Sequence, residues 1–189
     1  MNHEVTHRKP LIMLSLLLAA FAINLDTTIV NVALPTLVRQ LHSSTSQLQW
    51  VVDAFNLLFA ASVLAIGSLS DRLGRKGMLL AGLAVFGAAS LAGGLTHSSG
   101  QLIAARAVMG IGAAMVFPST LSLLTNVFVE RRERTLAIGL WGAITGVAIA
   151  LGPIIGGWLL QLFDWRAIFF VMTPVAVIAG ALEGVRLSV

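Results

Sequence analysis

The chain has no cysteine and no tyrosine, and only 11% of its 189 residues are charged. The missing thiols exclude disulfide bracing, thiolate nucleophiles and cysteine metal sites. Charge is just as informative. A soluble domain carries nearer a quarter charged residues, whereas this chain is 57% hydrophobic with a mean hydropathy of +0.92. Water is therefore not its main solvent. Proline is scarce as well, with five residues, but glycine is not: its 18 copies suit tightly packed membrane helices. The formal charge of +4 and a pI near 11.1 would fit a nucleic-acid binder. A membrane protein with basic loops on one side gives the same balance, and the hydropathy selects that reading, with lipid and not nucleic acid as the partner.

A bilayer core needs roughly 20 mostly apolar residues per helix. Six runs meet that length, near 11–34, 48–69, 78–96, 102–126, 135–160 and 166–184. They are too long and too evenly apolar for barrel strands. The start MNHEVTHRKP-LIMLSLLLAAFA imitates a secretory signal peptide, with a small-x-small site at Ala20-Phe21-Ala22. Its apolar stretch continues past Val30 to Leu34, where Pro35 closes the run, so it is read as a retained first helix. The expected fold is an all-α membrane protein of six transmembrane helices, with residues 1–10 as a tail, 11–184 as the bundle and 185–189 as an end segment.

Orientation follows from lysine and arginine in the short connections. Arg8, Lys9, Arg72, Arg75, Lys76, Arg131, Arg132, Arg134 and Arg186 fall on one side, and only Arg39 and Arg166 on the other. Both termini are thus expected to be cytoplasmic, in a multi-pass cell-membrane protein.

Away from the span ends, three ionisable residues fall within the spans: Asp26, Asp53 and Arg106. A charge at the helix centre costs about 2.5–3.5 kcal/mol or more, so each needs a partner or water. Their depths agree, roughly 7 Å from the outer ends at 1.5 Å per residue for Asp53 and Arg106. Depth allows two carboxylates and a guanidinium to share one layer. Helix 1 has a second polar stripe, Asn24, Thr28 and Asn31, almost opposite Asp26. One of its faces is expected to pack on helices and the other to line a hydrated cavity. Two roles stay open for Asp26 and Arg106: an ion pair that fixes packing, or a carboxylate beside Arg⁺ that gains and loses a proton. Asp53 is equally well a polar residue at a helix end.

Two glycine-rich stretches remain. In GSLSDRLGRKGMLL, Gly67, Gly74 and Gly77 are expected to allow a tight turn and close helix approach around Asp71, Arg72, Arg75 and Lys76. Helix 5 spaces Gly142 and Gly146, then Gly152 and Gly156, by four residues, and carries Pro153, which is expected to bend it. No motif of soluble catalysis survives: GSLS is not a serine-hydrolase elbow, and the glycine pairs lack a P-loop ending. His3, His7, His42 and His97 have no metal spacing. Neither enzyme, metal nor cofactor is expected.

These residues resemble a known family. GSLSDRLGRKGMLL resembles the loop 2–3 signature of the major facilitator superfamily. LDTTIVNVALP resembles the helix 1 signature of its drug/proton antiporters, particularly the fourteen-helix EmrB/QacA-like branch. LIAARAVMGIGAA resembles the helix 4 signature, with Arg106 as its arginine, and ALGPIIGGWLL the antiporter signature of helix 5. QWVVDAFNLLFAA and DWRAIFF also look like that branch. The resemblance implies an exporter of amphipathic or cationic compounds, driven by proton influx through alternating access between two six-helix bundles. It implies that Asp26 binds a proton or a cationic substrate, with Arg106 as its electrostatic regulator. Gly152, Pro153, Gly156 and Gly157 would form the antiporter bend, where Ala148 replaces a glycine of the family pattern. Asp71 would dock near a helix end of the second bundle, favoured by the helix dipole, and Arg72 would pair with an acid of the first. A site between two repeats cannot be completed by one. The chain is therefore expected to be the N-terminal half of such an exporter. The alternatives are a half that homodimerises and a membrane protein without transport.

Overall fold

A computed structural model describes residues 2–184; the side chains of residues 2–8 and 71–73 lie outside the described part. Among the described residues there are six helices and no strand: α1 (Asn2–Leu41), α2 (Thr45–Leu73), α3 (Arg75–Gly94), α4 (Ser99–Val127), α5 (Arg131–Leu162) and α6 (Arg166–Gly184). Each is long and apolar enough to cross a membrane. The helices outrun the apolar stretches because polar residues at their ends still complete backbone hydrogen bonds. Pro35 closes the apolar run but not the helix, which continues to Leu41. A proline removes one donor and crowds one carbonyl, a loss that a transmembrane helix tolerates where neighbours satisfy the freed group.

Helix starts have local causes. Ser44 and Gln47 form a capping box, in which the Ser44 Oγ accepts the Gln47 N–H at 3.3 Å and the Gln47 Oε1 accepts the Ser44 N–H at 2.9 Å. Ser98 caps α4 by accepting the Gln101 N–H at 3.3 Å. The α2–α3 connection is one residue, Gly74, at φ 95°. Only glycine adopts that conformation without strain, so Gly74 fulfils the turn expected of the stretch. Gly67 and Gly77 do not provide close approach, since a Cβ on either would meet nothing within 4 Å.

Cross-links at both ends show how the helices alternate. At the end carrying the α2–α3 turn, called the basic end below, Lys9 of α1 pairs with Glu133 of α5 at 2.6 Å. At the opposite end, Ser43 and Ser99 share a buried hydrogen bond of 2.6 Å, and Arg166 Nη2 donates to the Thr96 carbonyl at 3.0 Å.

Helix α4 packs on α2, α3 and α1, while α1 packs also on α5 and α6. α2, α4, α1 and α5 thereby form one row, and α3 and α6 back it. Glycines set how closely α4 approaches its neighbours. A Cβ on Gly110 would run into the Phe55 carbonyl of α2, and one on Gly112 would lie 2.8 Å from the Phe86 nitrogen of α3. Gly82 meets α4 from the other side, at 2.7 Å from the Met115 Cβ. α2 and α5 flank the row and leave long apolar faces exposed, among them Leu57, Leu64, Ile154 and Trp158.

Replacing Gly110 by alanine must push α2 away from α4. We expect a loss of about 1–3 kcal/mol in denaturant unfolding of the purified chain, against no loss for Gly100→Ala, which faces open space.

Candidate functional site

The fifth residue of LIAARAV, Arg106, lies about two turns into α4, roughly 10 Å along the axis. At that depth the side chain has no route to water and must be satisfied by protein. Asp26 of α1 supplies the charge: Arg106 Nη1 donates to Asp26 Oδ2 at 2.5 Å, and the two side chains are 1% and 0% exposed. Arg106 Nε donates to the Val51 carbonyl of α2 at 3.0 Å. The guanidinium carbon sits 4.4 Å from the centre of the Phe55 ring, a cation–π distance. One arginine therefore ties α1, α2 and α4 together. The second carboxylate oxygen, Asp26 Oδ1, is buried with no partner among the described residues. Desolvating a charged pair costs several kcal/mol per ion, and the mutual attraction offsets this only with further hydrogen bonds. Arg106 has those; Asp26 has one free acceptor position.

Asp53 does not join the pair. It shares the depth but points to the exposed face of α2, because Val51 and Phe55 occupy the face turned to α4. In the stripe Asn24, Thr28 and Asn31, the two amides donate to carbonyls of their own helix, Ala20 at 2.7 Å and Thr27 at 3.4 Å. Asn24 and Thr28 are half-buried and Asn31 is exposed.

Below the pair, an aromatic series crosses three helices. Phe55 and Phe59 of α2 stack with centroids 6.3 Å apart. Phe59 meets Phe117 of α4 edge-on at 5.9 Å, and Phe117 meets Trp141 of α5 at 5.0 Å. The Trp141 indole donates to Thr120 Oγ1 at 3.2 Å.

The α5 glycines divide into two groups. A Cβ on Gly152 would collide with Thr28 Oγ1, and one on Gly156 would lie 3.0 Å from Ile29 Cγ1. These two seat α5 against α1. Gly142, Gly146 and Gly157 face nothing within 4 Å, so among the described residues of α5 four-residue spacing gives close packing at Gly152 and Gly156 and not at Gly142 and Gly146. Ala148, where the family pattern has glycine, is buried in the core. α5 continues as one helix through Pro153.

At the basic end, Gly74, Arg75, Lys76 and Gly77 line a shallow groove of about 650 Å³ with Ser70, Leu123 and Asn126. Asp71 and Arg72 have side chains outside the described residues. Sequence reasoning missed Glu183, which is buried at the end of α6 and accepts from Ser15 Oγ of α1 at 2.5 Å. It lies one residue from the end of the last apolar run. Sequence reasoning also missed the Val51 carbonyl, which carries no sequence signal.

An apolar bundle of six helices, each long enough to span a membrane, with an acid–base pair sealed between its central helices, is the architecture of a polytopic membrane protein. The Major Facilitator Superfamily model matches residues 16–186, and the chain belongs to that superfamily. It is 38% identical over 175 residues to the methyl viologen resistance protein SmvA of Salmonella typhimurium, covering 93% of this chain and 35% of the relative. The methylenomycin A resistance protein of Streptomyces coelicolor is 44% identical over 158 residues, which are 84% of this chain and 33% of that protein. The multidrug efflux pump LfrA of Mycolicibacterium smegmatis is 41% identical over 160 residues, 85% of this chain and 32% of LfrA. The chain thus spans about a third of the length of these curated relatives.

Removing one partner of the buried pair leaves an uncompensated charge. Arg106→Met should destabilise the purified chain by about 3–5 kcal/mol in denaturant titration, while the double variant Asp26→Leu, Arg106→Met should recover most of that loss. Gly152→Ala should separate α1 from α5 and lower stability, whereas Gly142→Ala, on the open face, should leave it unchanged.

Proposed function

We propose that this bundle is the N-terminal half of a proton-coupled exporter of amphipathic or cationic drugs, working by alternating access with a second six-helix bundle. The observation that carries the reading is the sealed Asp26–Arg106 pair with Asp26 Oδ1 unpartnered. With Asp26 ionised, the pair is neutral and its open oxygen can accept a proton or a cationic group. A proton on Oδ1 removes the negative charge and leaves Arg106 positive, still held by the Val51 carbonyl and the Phe55 ring. The site then repels a cation. Proton and cationic substrate exclude one another, which is the requirement for exchange. Arg106 acts as the regulator, since its fixed charge makes the outcome depend on whether Asp26 is ionised. Asp53, exposed on α2, is a second carboxylate for substrate or proton on the face a companion bundle would cover.

Relatives named for resistance to methyl viologen and methylenomycin A, and one named as a multidrug efflux pump, support drug export as the activity. In this reading the basic end is cytoplasmic, as are both termini, consistent with the lysine and arginine distribution. Gly67, Asp71, Arg72, Gly74, Arg75 and Lys76 form the gating segment: the rigid one-residue turn at Gly74 fixes the ends of α2 and α3, and Asp71 latches to a helix end of the second bundle. Gly152, Pro153, Gly156 and Gly157 form the antiporter segment of α5, two of them seated on α1. The companion is the second bundle of the same protein or a second copy of this one.

In the complete transporter, Asp26→Asn should abolish proton-linked drug efflux while the protein still reaches the membrane. Unchanged efflux with unchanged pH dependence contradicts the coupling role. Vesicles containing this chain alone should show no substrate-dependent proton flux; such flux would establish a homodimerising half instead.

A further inference from the structure

In a regular helix the N–H of residue 153 would donate to the carbonyl of Ile149. Pro153 has no N–H, so that carbonyl loses its intrahelical donor. In a membrane-embedded helix an orphaned carbonyl costs several kcal/mol unless something else donates to it. Thr28 of α1 stands at that point. Its Oγ1 lies 3.2 Å from the Ile149 oxygen and 3.3 Å from the Leu25 oxygen of its own helix. Gly152 is what allows the approach, since any Cβ there would occupy the position of the hydroxyl. The neighbouring Thr27 instead donates to the Asn24 carbonyl, 2.7 Å away.

We infer that Thr28 is a positioning residue whose hydroxyl caps the carbonyl freed by Pro153, so that α1 supplies from outside the hydrogen bond that α5 lacks within. Of the other prolines inside the helices, at 10, 35, 118 and 174, the last three free the carbonyls of Asn31, Ala114 and Phe170. Among the described residues, Ile149 is the one such carbonyl reached by a hydroxyl of another helix. The consequence concerns α1 as a whole. Asp26 and Thr28 are two residues apart and point to nearly opposite sides, Asp26 to Arg106 of α4 and Thr28 to the proline segment of α5. A displacement of α1 at the ion pair therefore reaches α5 at the residue where its own hydrogen-bond ladder is interrupted.

A double-mutant cycle on the purified chain tests this. Thr28→Val keeps shape and removes the hydroxyl; Pro153→Ala restores the missing N–H. Thr28→Val should lower the midpoint of thermal unfolding by about 2–4 °C, the effect of one hydrogen bond in a chain of this size. Thr28→Ser should match the unmodified chain. In the Pro153→Ala background, Thr28→Val should produce no shift. With carbonyl-¹³C isoleucine and ¹⁵N alanine, Ile149–Ala150 gives one of three Ile–Ala correlations, and its carbonyl resonance should move in Thr28→Val and remain in place in Thr28→Ser. An equal loss in both backgrounds, or no loss and no resonance shift with Pro153 present, overturns the inference. Should Thr28→Val alone fail to fold, recovery with Pro153→Ala supports it and failure in both backgrounds overturns it.

Discussion

An arginine cannot sit uncharged inside an apolar bundle, and most of this structure answers that constraint. The guanidinium of Arg106 needs a counter-charge, acceptors and a polarisable surface, and each comes from a different place: Asp26 on α1, the Val51 carbonyl and the Phe55 ring on α2. The three helices are thereby fixed in rotation as well as distance. Gly110 lets α2 come close enough for its backbone to serve as acceptor, so close packing and electrostatics are one requirement. A buried ion pair is a weak source of stability against an apolar alternative. Its place at the junction of α1, α2 and α4 is what the proposed coupling role uses.

The helix order and the count among the described residues were legible from hydropathy, and depth allowed Asp26 to meet Arg106. What the residues alone left open is azimuth. Asp53 reaches the same layer as Arg106, but a depth argument says nothing about which face of α2 turns inward; Val51 and Phe55, four residues apart, take that face. The glycines teach the same lesson. Spacing by four permits a helix to approach on that side, and Gly142–Gly146 satisfies the rule as well as Gly152–Gly156 does. Only the second pair meets α1, because Thr28 and Ile29 stand opposite it. Gly74 was readable as a turn, whereas its neighbours Gly67 and Gly77 carry the same letter without the same need.

Contacts made by backbone atoms were invisible for a different reason. The Val51 and Ile149 carbonyls belong to residues whose side chains are merely apolar, and their roles arise from local geometry. In one case an arginine is placed four residues from a helix-seating glycine; in the other a proline four positions later withholds its N–H. Glu183 and Ser15 show that an acid at the edge of an apolar run can be fully buried when a neighbouring helix, here α1, offers a hydroxyl.

Membership of the major facilitator superfamily places these features in a protein class that moves solutes by changing which side of the membrane its helices open to. For the proposed proton-coupled cycle the Asp26–Arg106 pair must exist in the bilayer, and that is directly measurable. Carbon–nitrogen dipolar recoupling by solid-state NMR, with Asp labelled at Cγ and Arg at Nη, in lipid vesicles, should show a buried Asp–Arg contact that disappears in Asp26→Asn. The surface pair Asp164–Arg166, at 3.0 Å, serves as the internal reference. Dephasing from the surface pair alone, or a buried contact that persists in Asp26→Asn, would contradict the account.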